Sequence, residues 1–258
     1  MILTLKRYIT DVRLLFLFNI KMQYGKSMLG SIWVAFKPFM NTITFAIIMS
    51  KIAGLPIKDF FGFIAVNLTT WIFISSALSG SARNFADKRG LLVNRPVSLN
   101  KITAVFIAKS GYIYLISLIL PLTVGFFVGS LKITPELLAI VPYIIIILYI
   151  IFCISFIIAA VFPYFEDIAY LIEVGLPIGM WLTPVVYPIE KIPGILAQVQ
   201  CINPFYILIS PFTAIFYRQA LPNVAENISL ITLAMIVTIT YRFVHKKISK
   251  DIIYHLAI

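Results

Sequence analysis

Six apolar runs, each about 20 residues long, constrain this chain more than any other feature. They lie near 32–50, 60–82, 103–129, 137–161, 168–188 and 227–244. At 1.5 Å rise per residue, a helix of about 20 residues crosses the roughly 30 Å of hydrocarbon in a bilayer. No water inside lipid meets an unpaired N–H or C=O, so such runs fold as helices that close their own backbone hydrogen bonds. The expected fold class is an all-α integral membrane protein with six transmembrane helices. Composition agrees, with 61% hydrophobic and only 12% charged residues, about half the charged share of a soluble domain. The first run is the least clean, because Lys37 and Pro38 sit near its start.

Residues 1–31 read as an amphipathic helix lying in the membrane interface. Leu5, Ile9, Val12, Leu15, Phe16 and Ile20 recur at helical spacing, with Lys6, Arg7, Arg13, Lys21 and Lys26 between them. The first 31 residues are too basic and interrupted for a cleavable signal peptide. Residues 32–258 read as a single transmembrane domain.

Lysine and arginine in the short connections set the expected orientation. The N-terminal segment, the 83–101 segment (Arg83, Lys88, Arg89, Arg95, Lys101) and the tail (Arg242, Lys246, Lys247, Lys250) are basic, and six spans put all three on one side. That side is expected to be the cytoplasm, with both termini inside. The connection at Glu166 and Asp167 is acidic, which affects orientation weakly.

Segment 189–226 is apolar yet broken by Pro193, Gly194, Pro204, Pro211 and Pro222. The prolines argue against one straight helix, and Phe205 to Ile209 are too apolar for an aqueous loop. A re-entrant pair of short helices dipping in from the outer face is expected.

Several function classes fall away. The net charge of +11 is accounted for by topology, so no nucleic-acid partner is expected. The two histidines, His245 and His255, sit in the basic tail, and Cys153 and Cys201 have no metal-ligand spacing. Neither a catalytic residue nor a metal site is expected. Glu166, Asp167 and Glu173 read as a helix-capping cluster rather than a catalytic one. Gly25-Lys26-Ser27 lacks the first glycine of a phosphate-binding loop, where Ile20 stands, so any motor is another polypeptide.

Lys37 and Lys109, near the starts of predicted spans, read as snorkelling to the interface. Gly125/Gly129 and Gly175/Gly179 match the GxxxG spacing of close helix packing. Trp33, Trp71, Trp181 and Tyr187 are candidates to line a substrate conduit, because sugar rings stack their C–H faces on aromatic planes.

Four strings, in order along the chain, resemble the ABC-2 type polysaccharide export permeases. They are Tyr24 to Pro38 (YGKSMLGSIWVAFKP), Leu91 to Lys101 (LLVNRPVSLNK), the Phe165-Glu166-Asp167 site where that family has Phe-Arg-Asp, and Thr183 to Pro188 (TPVVYP) followed by Asn203-Pro204. The resemblance is to O-antigen and capsule permeases, with teichoic-acid permeases close by. Glu166 departs from the family's arginine.

The resemblance implies the transmembrane subunit of an ATP-driven exporter of lipid-linked polysaccharide in the bacterial inner membrane. It implies a homodimer bound to two copies of a separate ATPase, which holds the ATP and magnesium; this chain carries no cofactor. Arg83, Lys88, Arg89, Asn94, Arg95 and Pro96 would form the coupling segment against that ATPase. Pro184, Pro188, Asn203 and Pro204 would shape the re-entrant gate. A permease for teichoic acid or a smaller lipid or drug is the alternative.

Overall fold

The computed structural model describes residue 14 and residues 32–54, 56–94, 97–189 and 193–248. Apart from Leu14, the expected interfacial helix at 1–31 lies outside the described residues, as do Arg95, Pro96 and residues 190–192. Every regular element among the described residues is helical.

The chain runs through α1 (Ile32–Ala53), α2 (Ile57–Ser81), a six-residue α3 (Arg89–Asn94) and α4 (Leu99–Phe127). A 3-10 turn (Pro135–Ala139) leads into α5 (Ile140–Val161), followed by α6 (Ile168–Leu182), α7 (Gly194–Gln200) and α8 (Pro204–Phe212). A π-helical turn (Thr213–Arg218) and α9 (Val224–Ile248) complete it.

Five helical stretches are long and apolar enough to cross a membrane: α1, α2, α4, the 3-10 turn continued by α5, and α9. The pair α7 and α8 with its π-turn, bent by 88°, is a sixth candidate if taken as one broken span. The run expected over 168–188 is helical only to Leu182. Its 15 residues extend about 22 Å, short of the hydrocarbon thickness.

The reason lies at Thr183. It precedes Pro184, whose ring disfavours the α conformation at the residue before it, and Thr183 sits at φ −105°, ψ 139°.

The core forms around α2, which packs against α1, α4, α5, α6 and α8. Phe60, Ile64, Leu68, Trp71, Ile74 and Leu78 are all buried there. Its apolar residues have no single preferred side, as expected of a helix enclosed all round.

The turn after α4 folds back onto this core. A Cβ at Gly62 would come 2.8 Å from Leu131 Cδ2 and from the Ser130 carbonyl, and one at Gly125 would come 2.7 Å from Leu131 Cδ1. These two glycines therefore admit Leu131 rather than another helix. Gly129 lies beyond the helix at φ 76°, and a Cβ at Gly175 would meet nothing within 4 Å. Neither expected GxxxG pair forms a seam within the chain.

Candidate functional site

Two ends of the bundle hold the residues that the sequence singles out, and they are built differently. At one end lies the loop between α2 and α4. Phe85 and Leu92 are buried against Leu99, Ile102, Phe156, Ala159, Ala160 and Val244. Phe85 meets Phe156 edge-on, with ring centroids 5.6 Å apart. These apolar anchors dock the loop on α4, α5 and α9.

Ser98 caps α4 by accepting from the Lys101 N–H at 3.3 Å. Beside it, Tyr241 donates its hydroxyl to Asn100 Oδ1 at 3.0 Å, while Asn100 Nδ2 lies 3.1 Å from His245 Nε2. The loop is thus held between apolar side chains and a polar tie to α9. Its cations point away from both: Arg83, Lys88 and Arg89 are exposed. Asn94 ends α3, with only its backbone described.

At the opposite end the chain leaves α6 and closes on itself. A helix C-terminus leaves carbonyls without intrahelical partners. Here Gln200 Nε2 donates to the Leu182 carbonyl at 3.0 Å, and the Tyr187 hydroxyl donates to the Trp181 carbonyl at 2.6 Å.

Asn203 is the centre of the arrangement. Its Oδ1 accepts from the Phe205 N–H at 3.0 Å, capping α8, where Pro204 takes a first-turn position that needs no donor. Its Nδ2 donates to Thr183 Oγ1 at 3.0 Å and to Gln200 Oε1 at 2.8 Å. Val185 and Val186, with Pro184 between them and Thr183, are buried. Pro188 is half-buried at the end of this extended stretch.

The outward side of α7 is apolar, with Ile195, Leu196, Val199 and Ile202 exposed. α9 then begins with a reciprocal cap. Asn223 Oδ1 accepts from the Glu226 N–H, and Glu226 Oε2 accepts from the Asn223 N–H, both at 2.8 Å. Glu226 also pairs with Arg218.

The four candidate aromatics are not gathered in one place. Trp33 is 51% exposed, beside a cleft bounded by α1, α2 and α4. Trp71 is 4% exposed and meets Phe205 edge-on at 5.1 Å, with Gly179 beside both rings. Trp181 is exposed, and Tyr187 is bonded to its carbonyl.

Spacing does not reveal Gln200, because it belongs to no motif. Its only signal is a polar side chain in an otherwise apolar stretch. A buried polar belt on α2 is equally silent in sequence. Thr213 Oγ1 donates to Asn67 Oδ1 at 2.6 Å, and Thr70 Oγ1 lies 2.9 Å from the Tyr114 hydroxyl. These partners are 146 and 44 residues apart. Such pairs join helices across an apolar medium.

This geometry has two faces to offer a partner, one cationic and one apolar, and no cluster of metal-binding side chains among the described residues. The profile of the family described as ABC-2 type transporter matches residues 10–217. The chain is 24% identical over 220 residues, covering 84% of each sequence, to the O-antigen export system permease protein RfbA of Myxococcus xanthus.

Proposed function

The chain belongs to the ABC-2 type transporter family, and from that premise we propose that it is the membrane subunit of an exporter for a lipid-linked polysaccharide. A multi-pass transport subunit rather than an enzyme, it takes its energy from a separate ATPase. The polysaccharide reading is supported by the similarity to an O-antigen export permease. A teichoic acid or a smaller lipid uses the same fold and is the second reading.

The observation that carries the coupling part of the reading is the docked, cation-bearing loop. Phe85 and Leu92 hold it to the bundle while Arg83, Lys88 and Arg89 face outward. A push on such a loop would be felt by α4, α5 and α9 together, because its anchors share one buried apolar cluster with side chains of all three. Asn94, Arg95 and Pro96 follow these residues in sequence. In this reading the loop faces the cytoplasm of the inner membrane, the ATPase docks on it, and both termini lie on that side.

Two copies of the chain and two ATPases would form the working assembly, with the conduit between the copies. Trp33 and Trp181, both exposed, would be the aromatics that meet a glycan there. The bent pair α7 and α8, tied to the exit of α6 through Asn203, would act as the outer gate, with Pro184, Pro188 and Pro204 setting its breaks.

The test is copurification and ATP-dependent export with Arg83→Ala, Lys88→Ala and Arg89→Ala combined. Retained folding with loss of both ATPase binding and export is expected. Full ATPase binding and full export would remove the loop from the mechanism.

A further inference from the structure

α1, α2 and α4 leave a cleft of about 490 Å³ between them, in the half of the bundle nearer the 83–101 loop. Its polar lining includes Lys37 and Asn41 from α1, Thr69 and Ser76 from α2, and Lys109 and Ser110 from α4, with Tyr114 and Ser117 of α4 already bonded to Thr70 and to the Val34 carbonyl. Lys109 lies roughly 15 Å along α4 from Leu99.

A cation at this depth is costly unless it reaches water or meets an anion. Neither lysine forms an ion pair or hydrogen bond with a described residue. Along their described lengths the three helices carry one acidic residue, Asp59, in the first turn of α2 at the opposite end.

Snorkelling alone would need no polar neighbours at the same depth. Here Asn41 and Ser110 share the cleft with the lysines, and Thr69 Oγ1 at its wall is buried with no partner among the described residues. Trp33, Ile72, Phe73, Phe106 and Ile113 are among its apolar walls. The mixture is cationic, rich in hydrogen-bonding groups and walled by apolar side chains within membrane-spanning helices. Lysine binds phosphate as a point charge, and the apolar walls suit a phosphate that arrives on a hydrocarbon tail.

We propose that this cleft binds the phosphate of a lipid headgroup, with Lys37 and Lys109 as its cationic contacts and Asn41 and Ser110 as hydrogen-bonding partners. The binding itself needs no transport. Its assignment to the carrier lipid of the cargo rests on the export reading above.

The test uses the full chain in phosphatidylcholine nanodiscs, with retained ligand read by native mass spectrometry. Farnesyl pyrophosphate, phosphatidylglycerol and inorganic pyrophosphate are the three probes. Lys37→Gln with Lys109→Gln is expected to weaken a lipid probe at least tenfold. The arginine pair at the same positions should retain binding, and Lys246→Gln with Lys247→Gln should leave it unchanged. If the double glutamine variant fails to fold, Lys37→Gln alone is read in the same way.

Preference for farnesyl pyrophosphate identifies the isoprenoid carrier, and preference for phosphatidylglycerol identifies a bulk membrane lipid. Either supports the site. Equal lipid binding by the wild type and the glutamine pair overturns it, as does inorganic pyrophosphate binding as tightly as either lipid. Unchanged lipid binding beside intact ATP-driven export by the complex sinks the cleft alone and leaves the export reading standing.

Discussion

The loop after α2 and the segment after α6 are both breaks between helices, yet they are secured by opposite means. The first is pinned by buried Phe85 and Leu92 and turns its cations outward. The second spends its polar groups on itself: Asn203, Gln200, Thr183 and Tyr187 bond to one another or to the carbonyls that end α6. What it turns outward is apolar. The contrast follows the surroundings each is suited to. A surface that meets an aqueous protein partner can expose charge, whereas broken backbone at membrane depth must satisfy its hydrogen bonds internally.

Five variants test that contrast. Phe85→Ala should have the largest effect on stability, about 3 kcal/mol, because it empties a fully enclosed aromatic site. Thermal unfolding in detergent would show it, and a change within error would mean that the loop is not held by apolar burial. Asn203→Ala removes a helix cap and two side-chain bonds and should cost about 2 kcal/mol. The same melt checks it, and Asn203→Asp, which keeps the cap but loses the Nδ2 donor, should fall between the two.

Tyr241→Phe removes the hydrogen bond to Asn100 and should cost about 1 kcal/mol. Hydrogen exchange at the start of α4 should rise with it. Arg83→Ala with Lys88→Ala should move stability by less than about 0.5 kcal/mol, as exposed charges do. Binding to the ATPase should nevertheless weaken, and the wild-type interaction should weaken as salt is raised.

The spans were legible because lipid leaves a chain few options. Long apolar runs must be helices, and α1, α2, α4, α5 and α9 all fall where those runs lie. The start of α4 at Leu99, four residues before the expected boundary, follows from Ser98, a capping residue inside a polar stretch. The early end of α6 was readable in principle from Thr183-Pro184, but hydropathy alone carries a span through to Pro188.

The candidate site was legible in part. The cations of the loop could be read directly, and the proline breaks marked a bent pair that is present. The partners could not be read. Asn203 meets Thr183 across 20 residues and Thr213 meets Asn67 across 146, and no periodicity encodes such distances. Aromatic residue type alone also cannot separate Trp71, enclosed in the core, from Trp33 and Trp181 at the surface.

The central claim is that this chain is a passage driven by a separate motor through the loop after α2. Its most direct test is ATP-dependent translocation of lipid-linked glycan in inverted membrane vesicles holding the chain and its ATPase, comparing wild type with Arg83→Glu and Lys88→Glu combined. The account predicts transport that requires the ATPase and is abolished by the charge reversal while the chain remains folded. Transport without the ATPase, or transport unchanged by the reversal, would contradict it.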